Sequence, residues 1–487
     1  MPLPYRLMRR DSVPTELSRI PLDRLPTAQA NPKRSSQRRY WYIPCIHRVT
    51  HRRAQWRLQA LSKERNKKLL DVLRTAVTPA SGCTEPAAVA YSTALARSRV
   101  SGELVAAEIR LDQSLYKNAL RVGIPGTTAR GLEIAAALGI VAGKPERGFG
   151  VIDQCTEKDV EKAQEIVRQK KVNITVNENC SELFIETVLT TDKEKVRVIT
   201  KDQHLNVVSI EKGDHFSPWD LNTQLPDSLT HDVQAYDLED FISFAETVPI
   251  EELTFLEDGI AMNMAIAREG FSIRNGASQN YLKLVSETVV SDDMVSLAER
   301  LCAAACEARM SGSRLPAMTC AGSGNQGITV FLTMAAVAEK TDVPREKLLR
   351  ALALSTIITV YCKSFTGILS PMCGCAISAG VGTSAGVVYL LGGGGKQIMG
   401  AVSNVVGSIS GMICDGAKEG CAYKVALASG WAIKMALLSI RGSVISETNG
   451  ILADNFRQLF DNLGALCKEG MASTNKVILR LLTKGGT

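Results

Sequence analysis

The sequence predicts an α+β chain in which a small mixed α/β sheet domain precedes a larger, mainly helical domain. Three observations carry that expectation. Residues 103–124 and 172–211 carry strand signals, with apolar and polar side chains alternating at period two. From Leu238 onward the spacing is helical, interrupted by glycine-rich turns at 322–327, 366–386 and 392–395. The composition, 45% hydrophobic and 22% charged, is that of a chain able to bury a core, which excludes wholesale disorder.

Residues 1–60 stand apart. They hold 13 Lys/Arg against 3 Asp/Glu, so they carry +10 of a chain total of +7 and leave −3 for the remaining 427 residues. A body that is faintly acidic excludes a protein that coats nucleic acid along its whole length. Seven prolines break any helical or strand period in this stretch. The expectation is a disordered tail or a misplaced translation start. The competing readings are a transit peptide and a nucleic-acid arm with Tyr40, Trp41 and Tyr42 as stacking groups. Cys45, His47 and His51 are metal-capable, but no second cluster of like spacing accompanies them.

Residues 61–234 are read as the sheet domain. Ser62 caps an amphipathic helix with Leu69, Val72, Leu73 and Ala76 on one face, stopped by Pro79. Gly82-Cys83-Thr84-Glu85-Pro86 is a turn, with Thr84 as N-cap of an alanine-rich helix to about Arg97. Strands follow at 105–111, 172–176, 183–189, 195–199 and 205–210, with helices at roughly 128–142 and 157–170. Residues 212–234 form a polar linker, and 235–487 the helical domain.

Thirteen irregularly placed cysteines in a long chain do not make a disulfide framework, and no apolar segment follows the basic N-terminus as a secretory signal requires. A reducing, cytoplasmic compartment is expected. The 32 uncharged residues from 364 to 395 exceed the roughly 20 a membrane span needs, which raises a transporter as an alternative. Nine glycines, Pro371 and many Ser, Thr and Ala in that run favour a buried hairpin of a soluble domain, with no membrane partner.

Four segments place reactive or donor groups in tight turns. In the first, Cys83 precedes a helix N-terminus, where the dipole favours a thiolate, and the carboxylate of Glu85 stands two residues away. In the second, Gly322-Ser323-Gly324-Asn325-Gln326-Gly327-Ile328 opens an apolar helix and offers a cradle of N–H groups for an anion. It is neither a P-loop nor a dinucleotide fingerprint. The third and fourth, Leu369-Ser-Pro-Met-Cys373-Gly-Cys375 and Gly411-Met-Ile-Cys414-Asp-Gly416 with Cys421 beyond, match no zinc-ribbon or ferredoxin spacing.

Taken in order, Gly82–Pro86, Gly322–Ile328 and Gly411–Gly416 closely resemble the L-cysteine desulfidase family, relatives of the α part of bacterial iron–sulfur L-serine dehydratases. The resemblance covers about residues 62–484 and extends to Lys117-Asn118 and Ile124-Pro-Gly-Thr127. It implies a lyase that needs no pyridoxal phosphate, carries a [4Fe–4S] cluster and converts L-cysteine and water to sulfide, ammonia and pyruvate. L-serine dehydration is the alternative within the same chemistry. By motif, Cys83, Cys373 and Cys414 would hold the cluster, with Cys375 and Cys421 as neighbouring alternatives. Glu85 is the candidate base. Ser323, Gly324, Asn325 and Gln326 are the candidate cradle for the substrate carboxylate, joined by Asn118 and Thr127. The expected partner is a small amino acid, with no nucleic acid and no membrane, and the assembly considered is a homo-oligomer.

Overall fold

The computed structural model describes residues 62–177, 180, 183–220 and 232–484. The expectations for residues 1–60, including Cys45, His47 and His51, and for residues 221–231 of the 212–234 linker lie outside the described residues.

A five-stranded sheet organises the first part of the chain, in the order β3-β2-β4-β5-β6. Its strands are β2 (Leu104–Asp112), β3 (Val172–Asn177), β4 (Phe184–Thr191), β5 (Lys195–Lys201) and β6 (Val207–Lys212). Only the β2–β3 pair is parallel, and it is bridged by a helical crossover. The other neighbours are antiparallel, so one alternating pattern serves both kinds of pairing. Helices α2 (Thr84–Arg97), α4 (Leu132–Ala142) and α5 (Glu157–Arg168) share a core with the sheet, in which Val89, Ile109, Leu138 and Val198 are buried. Thr156 and Asp159 form a capping box that fixes the start of α5.

The 103–124 strand signal stops earlier than expected. Residues Gln113–Ala119 form helix α3, because the Asp112 carboxylate accepts the N–H groups of Ser114 and Leu115 and caps it. Likewise α2 begins at Thr84, with Cys83 and not Thr84 in the N-cap position.

The second core is helical. It contains α6 (Leu238–Thr247), α7 (Leu256–Gly270), α8 (Ala277–Ser286), α9 (Met294–Met310), α10 (Gly324–Thr341), α11 (Arg345–Thr366), α12 (Ile377–Leu390), α13 (Gly395–Ile409), α14 (Cys421–Ile440) and α15 (Phe456–Ala465), while α16 (Thr474–Lys484) packs against α3. The first helix, α1 (62–76), joins this core and not the sheet's: Leu69 and Leu73 are buried there with Phe241 and Phe331. The segment after it pairs as β1 (Pro79–Ser81) with β7 (Pro316–Met318), tying the Gly82 turn to the chain just before α10.

The expected turn at 366–386 is half helix. Gly380, Gly382 and Gly386 sit inside α12, where a methyl on Gly382 would lie 2.1 Å from Thr359 Oγ1 and 2.3 Å from Ser355 O. These glycines let two helices approach closely and do not punctuate the chain. The uncharged 364–395 run therefore folds as the end of α11, a loop and the 14-residue α12. Among the described residues two helices, α11 and α14, are long and apolar enough to cross a membrane, and 83% and 56% of their apolar windows are buried inside the protein.

Candidate active site

The cavity that gathers the motifs lies where α2, α3, α10, the α11–α12 loop and the β5–β6 turn meet. It holds about 470 Å³ of empty space, partly open to solvent. Thr84 and Glu85 come from the first motif, Gly322, Ser323 and Gln326 from the second, Leu369, Ser370 and Cys375 from the third, and Cys414 from the fourth. Asn118, His204 and Lys363 complete the polar lining.

On one wall, Gly82 adopts φ +65°, and a methyl there would meet Pro125 Cγ at 2.4 Å. Only glycine suits that combination, and it explains the Ile124-Pro-Gly-Thr127 motif as the packing partner of the turn. Thr127 itself does not line the cavity, and its hydroxyl donates within its own loop, to Ile124 O and Ala129 O. The turn presents Cys83, whose thiol donates to Glu85 Oε2 at 2.7 Å. Glu85 Oε1 accepts from Asn118 Nδ2 at 3.0 Å, and Cys414 Sγ donates to Asn118 Oδ1 at 3.5 Å. One continuous chain of bonds thus links Cys83 to Cys414.

Burial works against ionising Glu85, but His204 nearby and the bonds from Cys83 and Asn118 outweigh it and hold the carboxyl at about 2. The Cys83 thiol is pushed well up, by burial first and the adjacent Glu85 second.

Further along the lining, an isolated antiparallel bridge pairs Met372 with Ile413. Cys373 N donates to Met412 O at 2.9 Å and Cys414 N to Pro371 O at 2.7 Å, which sets the two cysteines on neighbouring segments. Cys373 is held below its ordinary value, chiefly because Cys375 donates a hydrogen bond to it, and Cys375 is raised in consequence. Cys421 is buried just behind and donates to Gly416 O. Lys117, buried under this loop, donates to Cys414 O and to Asn475 Oδ1, each at 2.7 Å.

The glycine-rich turn divides its duties. Ser323 and Gln326 reach the cavity, whereas Gly324 and Asn325 do not line it, and Asn325 instead accepts from the buried Arg309 at 2.9 Å. The N-cap Ser323 makes no side-chain cap bond, so its hydroxyl is not engaged at the start of α10.

His204 was not singled out by its sequence context. It stands in the turn between β5 and β6, lone and without a motif, yet it lines the cavity with Nε2 buried and unpartnered. Burial depresses its pKa to about 4 despite the attraction of Glu85. Lys363, in the last turn of α11, was hidden in an otherwise apolar helix.

The donor chemistry fits an iron–sulfur cluster. Cys373, Cys375, Cys414 and Cys421 are near enough to perturb one another's ionisation, and Cys83 faces them through Glu85 and Asn118. Among the described residues no three His, Cys, Asp or Glu converge on a single metal ion. A cluster binds each thiolate through a different iron, so its ligands stand further apart than those of one ion.

Residues 146–480 match the serine dehydratase alpha chain family. The chain belongs to that family. It is also similar over most of its length to several bacterial proteins named UPF0597. The one from Clostridium tetani is 39% identical over 416 residues, covering 85% of this chain and 97% of the relative. The one from Caldanaerobacter subterraneus subsp. tengcongensis is 40% identical over 418 residues, covering 85% and 98%. A third, from Clostridium botulinum strain Okra, is 36% identical over 431 residues, covering 88% and 99%. Family membership supports an iron–sulfur dehydratase or lyase type of enzyme, and it agrees with the sulfur-rich cavity wall.

Proposed function

We propose that the protein is a pyridoxal-independent iron–sulfur lyase of the cytoplasm that eliminates the β-substituent of a small L-amino acid, L-cysteine being its substrate. The observation that carries this is the convergence of four separate motifs, with Cys375, Cys414, Glu85, Ser323 and Gln326, on one cavity. Cys83, Cys373 and Cys414 would hold a [4Fe–4S] cluster, with Cys375 and Cys421 beside them. When bound, the cluster supplies an open iron as a Lewis acid for the departing thiol. Ser323 and Gln326 bind the carboxylate end of the substrate.

The proton on Cα needs an acceptor. Glu85 is ionised at neutral pH, and His204, with Nε2 buried and unpartnered, is neutral there, so both stand on the cavity lining as groups able to accept it. We assign proton acceptance to this pair. A second reading, L-serine dehydration to pyruvate and ammonia, draws support from the name of the matched family.

The test is anaerobic purification of the full chain, iron and sulfide analysis, and incubation with L-cysteine or L-serine without pyridoxal phosphate. Pyruvate with matching sulfide from L-cysteine is expected. Full turnover by iron-free protein, or no pyruvate from either amino acid, overturns the proposal. Pyruvate from L-serine alone selects the second reading.

A further inference from the structure

We infer that Lys363 is the receptor for the substrate's α-carboxylate, so that the cavity selects zwitterionic α-amino acids over their amine counterparts. The inference rests on the reading that this cavity takes an amino acid, and deepens it.

Lys363 is 7% exposed and lines the cavity. An ammonium has three donors. One is spent on Ala321 O at 2.8 Å, and Lys363 takes part in no ion pair among the described residues. A buried cation without an anion in contact is costly and is ordinarily paired, which leaves this one with capacity for a ligand. The bond to Ala321 also fixes where the ammonium stands. Ala321 and Gly322 are both left-handed, at φ 50° and 76°, and they turn the chain into α10. The ammonium is thereby tethered to the loop whose next residues open the uncapped helix N-terminus. The buried cation, Gly322, Ser323 and Gln326 share the cavity lining, so the ammonium stands beside the hydroxyl and amide of the turn that opens α10, a setting that calls for an anion.

Glu85, on the wall that carries Cys83, supplies the complement. An α-amino acid bears one negative and one positive group on the same carbon. A cavity lined by one ammonium and one carboxylate matches both charges, with the α-ammonium directed to Glu85 and the α-carboxylate to Lys363.

The experiment compares two ligands that lack a leaving group and therefore do not react: L-alanine, and ethylamine, which is L-alanine without its carboxylate. Their dissociation constants are measured by calorimetry on the full-length wild type, Lys363→Met and Lys363→Arg, all purified anaerobically, with iron content and circular dichroism recorded. The wild type is expected to prefer L-alanine by at least about 30-fold, the loss that follows truncating one partner of a buried charge pair. Lys363→Met should erase that preference, weakening L-alanine by a similar factor and leaving ethylamine unchanged. Lys363→Arg should keep most of it. Equal weakening of both ligands marks Lys363 as merely structural and overturns the inference, as does a wild type without preference, which decides the matter even if Lys363→Met fails to fold. A Lys363-dependent preference in protein that neither binds iron nor forms pyruvate sustains the carboxylate receptor and refutes the lyase.

Discussion

Two groups of buried cysteines behave oppositely in this protein. Cys302, Cys320 and Cys362 are fully enclosed by the helical core, and burial pushes each thiol up to about 12. Cys373 is nearly as enclosed, at 4% exposure, yet its thiol is held below the ordinary value because Cys375 donates to it. Burial therefore does not by itself set a thiol's ionisation. The three core thiols have Thr or Ser hydroxyls as polar neighbours, Thr333 at Cys302, Thr356 and Thr359 at Cys320 and Ser378 at Cys362, and behave as small hydrophobes, whereas Cys373 stands among other thiols, Cys375, Cys414 and Cys421.

The largest effect should come from breaking that contrast directly. Cys373→Ala and Cys414→Ala should each lose the cluster iron and at least about 100-fold in pyruvate formation, since even partners that only support metal ligands cost 10–100-fold. Cys302→Ala and Cys362→Ala should keep full iron and lose only about 1–2 kcal/mol of stability as packed side chains. Iron content by anaerobic colorimetry distinguishes the groups, and equal iron loss in both would dissolve the distinction.

The same burial acts on a base with the opposite sign. His204 falls from 6.5 to about 4, so the unfolded chain takes up a proton that the folded one refuses. Stability is unaffected above pH 6.5 and is lost as the pH falls from 6.5 to 4, by up to about 3 kcal/mol. Urea midpoints measured across that window should drop in the wild type, and His204→Asn should flatten this part of the profile. An unchanged profile would show that His204 is protonated in the folded protein.

A finer version of the comparison lies within one motif. Gly416 adopts φ +100°, and a methyl there would stand 2.6 Å from Lys117 O, whereas Gly411 has nothing within 4 Å. Gly416→Ala should cost about 1–3 kcal/mol through strain and overpacking, and Gly411→Ala within about 0.5 kcal/mol. Denaturant unfolding of the two variants reads the difference, and equal costs would mean that the loop relaxes freely.

Much of the fold was legible because its signals are local. The alternation in β2 and β4–β6 and the capping residues of α5 act within a few positions of one another. The site was legible where glycine constrains a turn, as at Gly82 and Gly322, since such turns leave a mark in the sequence. His204 and Lys363 left none. Each is a single polar residue that the tertiary structure carries into the cavity, one on a hairpin turn and one on a core helix. The glycines of α12 misled for a related reason. Gly382 is demanded by Ser355 and Thr359 of another helix, and local reading assigns every glycine cluster to a turn. Thr127 was grouped with the substrate contacts by its motif, yet that motif packs against Gly82.

The bond from Lys117 to Asn475 spans 358 residues, and that from Asn475 to Ser114 spans 361. The same ammonium holds the carbonyl of Cys414. On a ribosome, the walls of the cavity are thus made at opposite ends of translation: Cys83, Glu85 and Lys117 emerge early and wait while some 300 residues are added. The sheet core can form in that interval, but the Cys414 loop gains its anchor only after the segment around residue 475 has been synthesised. On the proposed reading, a cluster held jointly by Cys83 and Cys414 is assembled late in the life of each chain, because the two are separated by 331 positions of synthesis.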